Sequence, residues 1–160
     1  MTPIRVAIVG CGRISDLHQM GYQGRDDALI TAVCDTNKAH AKKKAKEWGV
    51  EKVYTNYQQV LEDKDIDVVE LLTTHFLHCP MTIQAAQAGK HISVQKPMAL
   101  SAAEADQMID AANKAGVILR IYETFVYYAP AMRAKAMIEA GEIGEVRAVR
   151  MHINTGTADT

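Results

Sequence analysis

Apolar residues in this chain gather in short dense runs, separated by longer stretches of mixed polarity. The first run, Ile-Arg-Val-Ala-Ile-Val at 4–9, is mostly apolar and β-branched, the pattern of a buried strand. Gly10-Cys11-Gly12 ends it, and residues 13–24 read as a helix. A second run at 29–34 stops at Asp35, and the Ala- and Lys-rich stretch 36–48 follows as a helix with Gly49 as its stop. Residues 53–54 predict a short strand and 56–62 one or two helical turns. The alternation continues with strands at 67–72, 91–94 and 117–122 and helices at 81–88 and 101–114. Ser101-Ala102-Ala103-Glu104 carries the S-x-x-E pattern of a capping box. A helix at 130–140 and a strand-like segment at 146–153 come last.

Strands alternating with helices of this length predict parallel βαβ units, whose crossovers are right-handed. The expected fold class is α/β, a doubly wound, mostly parallel sheet of six strands over residues 1–123. Residues 124–160 follow the sixth strand and hold the helix at 130–140 and the strand-like segment at 146–153. With no further strand beside it, segment 146–153 is an edge with unpaired backbone groups, so it is expected either to pair with another copy, giving a homo-oligomer such as a dimer, or to be disordered.

Composition narrows the function classes. Of 160 residues 48% are hydrophobic and 23% charged, an ordinary globular balance. Eighteen basic against 19 acidic side chains give a net charge of −1, without the basic footprint of a nucleic-acid binder. The lysines at 38, 42, 43, 44 and 46 read as a solvated helix face. No apolar run is long enough for a membrane span, and the N-terminus enters a strand directly instead of a signal peptide. Three cysteines without a pairing framework read as reduced thiols, placing the chain in a cytoplasm. His75, His78 and Cys79 are too few for a tetrahedral metal set, so no metal is expected.

The candidate chemistry begins at Gly10-Cys11-Gly12-Arg13-Ile14-Ser15, a G-x-G-x-x-S variant of the dinucleotide-binding turn. The first glycine permits the tight exit from the strand. The second lets a pyrophosphate approach the backbone, and the small Ser15 lets helix and strand pack closely. Cys11 reads as a packing residue, although a helix start can also activate a thiol. Asp35, at the end of the second strand, suits the ribose hydroxyls and repels a 2′-phosphate. That favours NAD(H) over NADP(H), while nearby Lys38 could tolerate the extra phosphate. Lys96 follows the fifth strand, and Pro97 keeps it extended, so its ammonium stands at the carboxyl end of the sheet where ligands of such folds bind. There it can donate to a reacting oxygen.

These segments, with Leu77-His78, Ala88-Gly89-Lys90-His91 before Gln95-Lys96-Pro97, and 138–146, resemble the Gfo/Idh/MocA family of sugar and polyol oxidoreductases, in order along nearly the whole chain. The resemblance implies an NAD(P)-binding Rossmann domain and hydride transfer to or from a sugar or polyol. It implies a pyrophosphate turn at Gly10, Cys11, Gly12, Arg13, Ile14 and Ser15, and a ribose ligand at Asp35. Thr73, His75, His78 and Gln95 are placed beside the cofactor, and Lys96 matches the catalytic lysine of the family's Glu-Lys-Pro motif, which contacts both the nicotinamide and the substrate. Three positions depart from the family pattern: Gln95 for Glu, Thr74-His75 for Pro-Asn, and Tyr127-Tyr128 for Arg-Phe. Family members carry a second α/β domain that walls the substrate site and supplies an Asp and a His, and the resemblance implies that residues 124–160 are the first helix and strand of that domain, truncated. The chain is thus expected to be the cofactor-binding half, with little turnover alone, unless completed by another chain. A stand-alone nucleotide-binding or regulatory module, or an inactive fragment, are the alternatives.

Overall fold

In a computed structural model, which describes residues 2–150 and 152, six parallel strands form one sheet. They are β1 (Ile4–Val9), β2 (Ala28–Cys34), β3 (Lys52–Tyr54), β4 (Val68–Leu71), β5 (His91–Gln95) and β6 (Leu119–Tyr122). The spatial order is β3-β2-β1-β4-β5-β6. The direction of strand addition therefore reverses between β1 and β4, which opens a crevice at their carboxyl ends. The connecting helices are α1 (Ile14–Met20), α2 (Lys38–Trp48), α3 (Tyr57–Glu62), α4 (His78–Gln87) and α5 (Ala102–Ala115).

Side chains alternate between the two sheet faces. Val69, Leu71, Ile92 and Val94 join the larger core with Met81, Ala85 and Met108 of α4 and α5. Val33 faces the smaller core with Ala41 and Ala45 of α2. Glu70, Ser93 and Arg120 are in register on β4, β5 and β6, so the second face is polar along this side of the sheet.

Local signals explain most boundaries. Asn37 caps α2 by accepting from the Ala39 and His40 N–H groups, at 2.9 and 3.3 Å, and Gly49 closes it in the left-handed conformation. Ser101 Oγ accepts from the Glu104 N–H at 3.2 Å, while the Glu104 carboxylate takes the Leu100 N–H at 2.9 Å, one residue earlier than the usual capping box. The helix expected at 81–88 begins earlier, at His78, after a 3₁₀ turn at His75–Leu77. Pro80 is accommodated because the first helical turn needs no N–H from it. The helix expected at 13–24 is shorter, ending at Met20; Gly21 leaves it and Tyr22 turns inward to Glu70.

The chain divides into two compact units between Tyr122 and Glu123. The second holds a 3₁₀ turn (Thr124–Tyr127) and α6 (Ala129–Glu139). The strand expected at 146–153 does not form over 146–150, where no ladder partner lies among the described residues; Met151 and 153–160 fall outside them. No described helix is long and apolar enough to cross a membrane.

Candidate functional site

The exit from β1 is built around two glycines with different reasons to be there. Gly10 has φ +102°, and a Cβ on it would stand 2.5 Å from the Leu72 carbonyl oxygen at the end of β4. Only glycine fits that backbone and that approach. Gly12 has nothing within 4 Å of where its Cβ would be, so its side faces open space. Ser15 is fully buried and its hydroxyl donates to the Gly12 carbonyl at 2.6 Å. Among the described residues, the N–H groups of Gly12, Arg13 and Ile14 find no protein acceptor.

Asp35 ties the turn to β2. Its Oδ2 accepts the Cys11 N–H at 2.8 Å and its Oδ1 the Asn37 N–H at 2.7 Å. An ionised carboxylate has about four acceptor positions, so about two remain for a ligand. The Cys11 thiol points away, toward the Cys34 carbonyl at 3.7 Å. Burial first, then the Asp35 charge, pushes it up to about 12, which keeps it a thiol at neutral pH.

A cleft of about 680 Å³ opens here, lined by Gly10, Gly12, Asp35, Thr73 and His75 together with Leu72, Pro80 and Met81. The Thr73 hydroxyl is buried and has no hydrogen-bond partner among the described residues, an unpaired polar group at the carboxyl end of β4. His78 does not line the cleft. It is fully buried, with Nδ1 2.9 Å from the Pro97 carbonyl and Nε2 3.2 Å from the Thr73 carbonyl. It therefore bridges the ends of β4 and β5 beneath the surface. Lys96 and Gln95 lie at the end of β5 and are not part of the cleft lining. Lys96 is exposed, and the Lys96–Pro97 peptide is cis. The described residues hold no group of three or more His, Cys, Asp or Glu able to bind a metal.

One cluster beside these residues escaped the sequence reading. Glu70 is fully buried, and its carboxylate binds His18 Nδ1 and the Tyr22 hydroxyl. His18 Nε2 lies 2.9 Å from Gln95 Nε2, and the Tyr122 ring meets the His18 ring edge-on at 4.5 Å. Burial, then the Glu70 charge, raises the Tyr22 hydroxyl far above its ordinary range, so it stays protonated. The available signal was a carboxylate inside the apolar run Val68-Val69-Glu70-Leu71-Leu72, since a buried charge requires partners.

Comparison with known proteins places this geometry. Residues 4–123 match the Gfo/Idh/MocA model described as an oxidoreductase family with an NAD-binding Rossmann fold. Myo-inositol 2-dehydrogenase of Thermotoga maritima is 30% identical over 148 residues, covering 92% of this chain and 44% of that enzyme. The WlbA dehydrogenase of Chromobacterium violaceum, in complex with NADH and UDP-GlcNAcA, superposes with a TM-score of 0.85 at 30% identity, covering 90% of this chain and 42% of that one. KijD10, a 3-ketoreductase of Actinomadura kijaniata in complex with TDP-benzene and NADP, superposes with a TM-score of 0.82 at 26% identity, covering 91% and 46%. The chain thus spans less than half the length of these relatives, and the part it shares with them includes the NAD-binding Rossmann domain at 4–123. With its family model matched across six strands and the glycine turn, this chain belongs to the Gfo/Idh/MocA oxidoreductases and contains their NAD-binding Rossmann domain.

Proposed function

We propose that this chain is the cofactor-binding half of an NAD(P)-dependent oxidoreductase acting on a sugar or polyol. The observation that carries the reading is the cleft at the β1/β4 crevice, with an open Gly12 backbone at one side, Asp35 at another and the unpaired Thr73 hydroxyl within. These groups fit a dinucleotide: free N–H groups for its diphosphate, acceptors for its ribose, and a hydroxyl awaiting a partner. When bound, the dinucleotide supplies or takes up hydride at the substrate carbon.

The chain's own residues then divide the work. The Gly12, Arg13 and Ile14 N–H groups hold the diphosphate. Asp35 takes the ribose hydroxyls with its remaining lone pairs and repels a 2′-phosphate, which puts NAD(H) ahead of NADP(H). Thr73 and His75 border the cofactor, and His78 acts from below, set between the Thr73 and Pro97 carbonyls and donating to one of them. Lys96 donates to the reacting oxygen of the substrate. The substrate class rests on the relatives, whose names include an inositol dehydrogenase and a 3-ketoreductase. Turnover requires a substrate-side wall from further polypeptide, in the same chain or another. Three buried unpaired cysteines are in keeping with a cytoplasmic setting.

Titration with NADH and NADPH, followed by nicotinamide fluorescence, tests this. NADH is expected to bind more tightly. Asp35→Ser should narrow the preference by about tenfold, the effect of ~1.4 kcal/mol. Lys96→Ala should leave dinucleotide affinity nearly unchanged. Failure of both dinucleotides to bind at millimolar concentration would overturn the reading.

A further inference from the structure

Glu70, His18 and Gln95 connect three elements, β4, α1 and β5, and the chain of contacts ends on the backbone of Lys96. Its polarity follows from one group that can only donate. The Lys96 N–H lies 2.7 Å from the Gln95 side-chain amide, so the Gln95 oxygen must face it. The Gln95 NH₂ is then what faces His18 Nε2 at 2.9 Å, and that nitrogen must be the acceptor. The ring proton is left on Nδ1, where it is donated to the Glu70 carboxylate. The Tyr22 hydroxyl donates to the other carboxylate oxygen, and the edge-on Tyr122 ring fixes the imidazole plane.

We infer that Glu70, His18 and Gln95 form a relay of fixed polarity that holds His18 neutral as its Nδ1–H tautomer and positions the Lys96 turn. Each member is a positioning residue; none is required to touch substrate. A second proton on His18 would set an Nε2–H against the Gln95 NH₂, two donors face to face. Gln95 would have to turn its oxygen to His18 and release the Lys96 N–H. The placement of the lysine is thereby coupled to the charge on a histidine that is only 10% exposed. The groups around the ring are Glu70 on β4, with Tyr22 after α1 on its other oxygen, Gln95 on β5 and Tyr122 on β6. Ser93 and Arg120 stand level with Glu70 on the same sheet face. The importance of positioning Lys96 rests on its proposed catalytic role; the polarity of the relay does not.

The test is nitrogen NMR of the histidine side chains in the full chain at neutral pH, with the His18 signals assigned by their loss in His18→Gln. One proton-bearing nitrogen, Nδ1, and one acceptor-type nitrogen, Nε2, are expected. Gln95→Glu, nearly isosteric, places His18 between two carboxylates, so the acceptor-type signal should disappear as both nitrogens gain protons. Hydrogen exchange at the Lys96 amide reads the positioning: Gln95→Leu should speed it about tenfold, and Gln95→Glu should restore protection, because an acceptor oxygen returns. Neutral His18 as the Nε2–H tautomer, a doubly protonated His18 in the native protein, or a Lys96 amide indifferent to Gln95→Leu would each overturn the relay. A native Nδ1–H signature in a chain that binds neither NADH nor NADPH would uphold the relay and remove the cofactor reading, so the two failures are distinct.

Discussion

Gly10 and Gly12 sit two residues apart in one turn and respond oppositely to the same substitution. Gly10→Ala puts a Cβ into the Leu72 carbonyl with a left-handed backbone beneath it. It should cost roughly 1–3 kcal/mol of stability for the backbone alone, more with the collision, and lower the melting temperature. Gly12→Ala meets no protein atom, so the melt should barely move. The added methyl would occupy space proposed for the diphosphate, and NADH affinity should fall by about tenfold or more. A thermal melt and a titration on each variant separate the two. Equal losses of stability would show that the turn is packed differently. The Gly-x-Gly turn and Asp35 were legible in the sequence because each is a local device, read from a few consecutive residues at the end of a strand. The His18–Glu70–Gln95 relay was not. Its members come from α1, β4 and β5 and meet only once the strand order is known. Gln95 was recognisable as a substitution in a motif, but the imidazole that gives its amide a purpose was hidden in the helix after the glycine turn.

Individual elements are tied together at the amino end of the sheet, away from the candidate site. Lys90 precedes β5 and is 7% exposed; its ammonium donates to the Asp63 carbonyl at 2.7 Å and the Ile66 carbonyl at 2.8 Å, holding the loop before β4. This gives the Lys of Ala88-Gly89-Lys90-His91 a structural task. Lys90→Met keeps the aliphatic stem but leaves both carbonyls short of a donor. A loss of about 1–3 kcal/mol is expected, seen as a lower urea midpoint at unchanged slope. Nearby, Arg5 at the start of β1 grips Asp67 before β4 through two side-chain contacts of 3.0 and 2.8 Å. The guanidinium holds the Asp67 carboxyl down at about 2, against burial, which works the other way. The contribution to stability is therefore complete above the ordinary value of 3.8 and is lost as pH falls from there through about 2. Urea midpoints measured across this interval should fall with pH, and Asp67→Asn should flatten that limb. An unchanged limb would mean that the pair is not formed in solution. Element boundaries depended on such company as much as on propensity: α4 starts ahead of Pro80, whereas the Val-Arg-Ala-Val-Arg segment at 146–150 has no described strand to join.

At the scale of the whole molecule, both core clusters, the cleft, the relay and the Lys96 turn lie within the unit that ends at Tyr122. No residue of α6 is buried. A chain ending at Tyr122 should therefore unfold in one cooperative transition and bind NADH within a few-fold of the full chain. Ligand linkage makes this measurable without an assay of turnover. NADH at a hundred times its dissociation constant should add about 2.7 kcal/mol to stability, if it binds the folded unit alone. For a domain of this size that corresponds to a rise in melting temperature on the order of 5–10 °C. The same rise in both chains would make the first unit the complete source of dinucleotide affinity. A normal melt with no NADH response in the shorter chain would instead assign part of the binding to residues beyond Tyr122. A non-cooperative melt would mean that the six-strand sheet depends on those residues to fold.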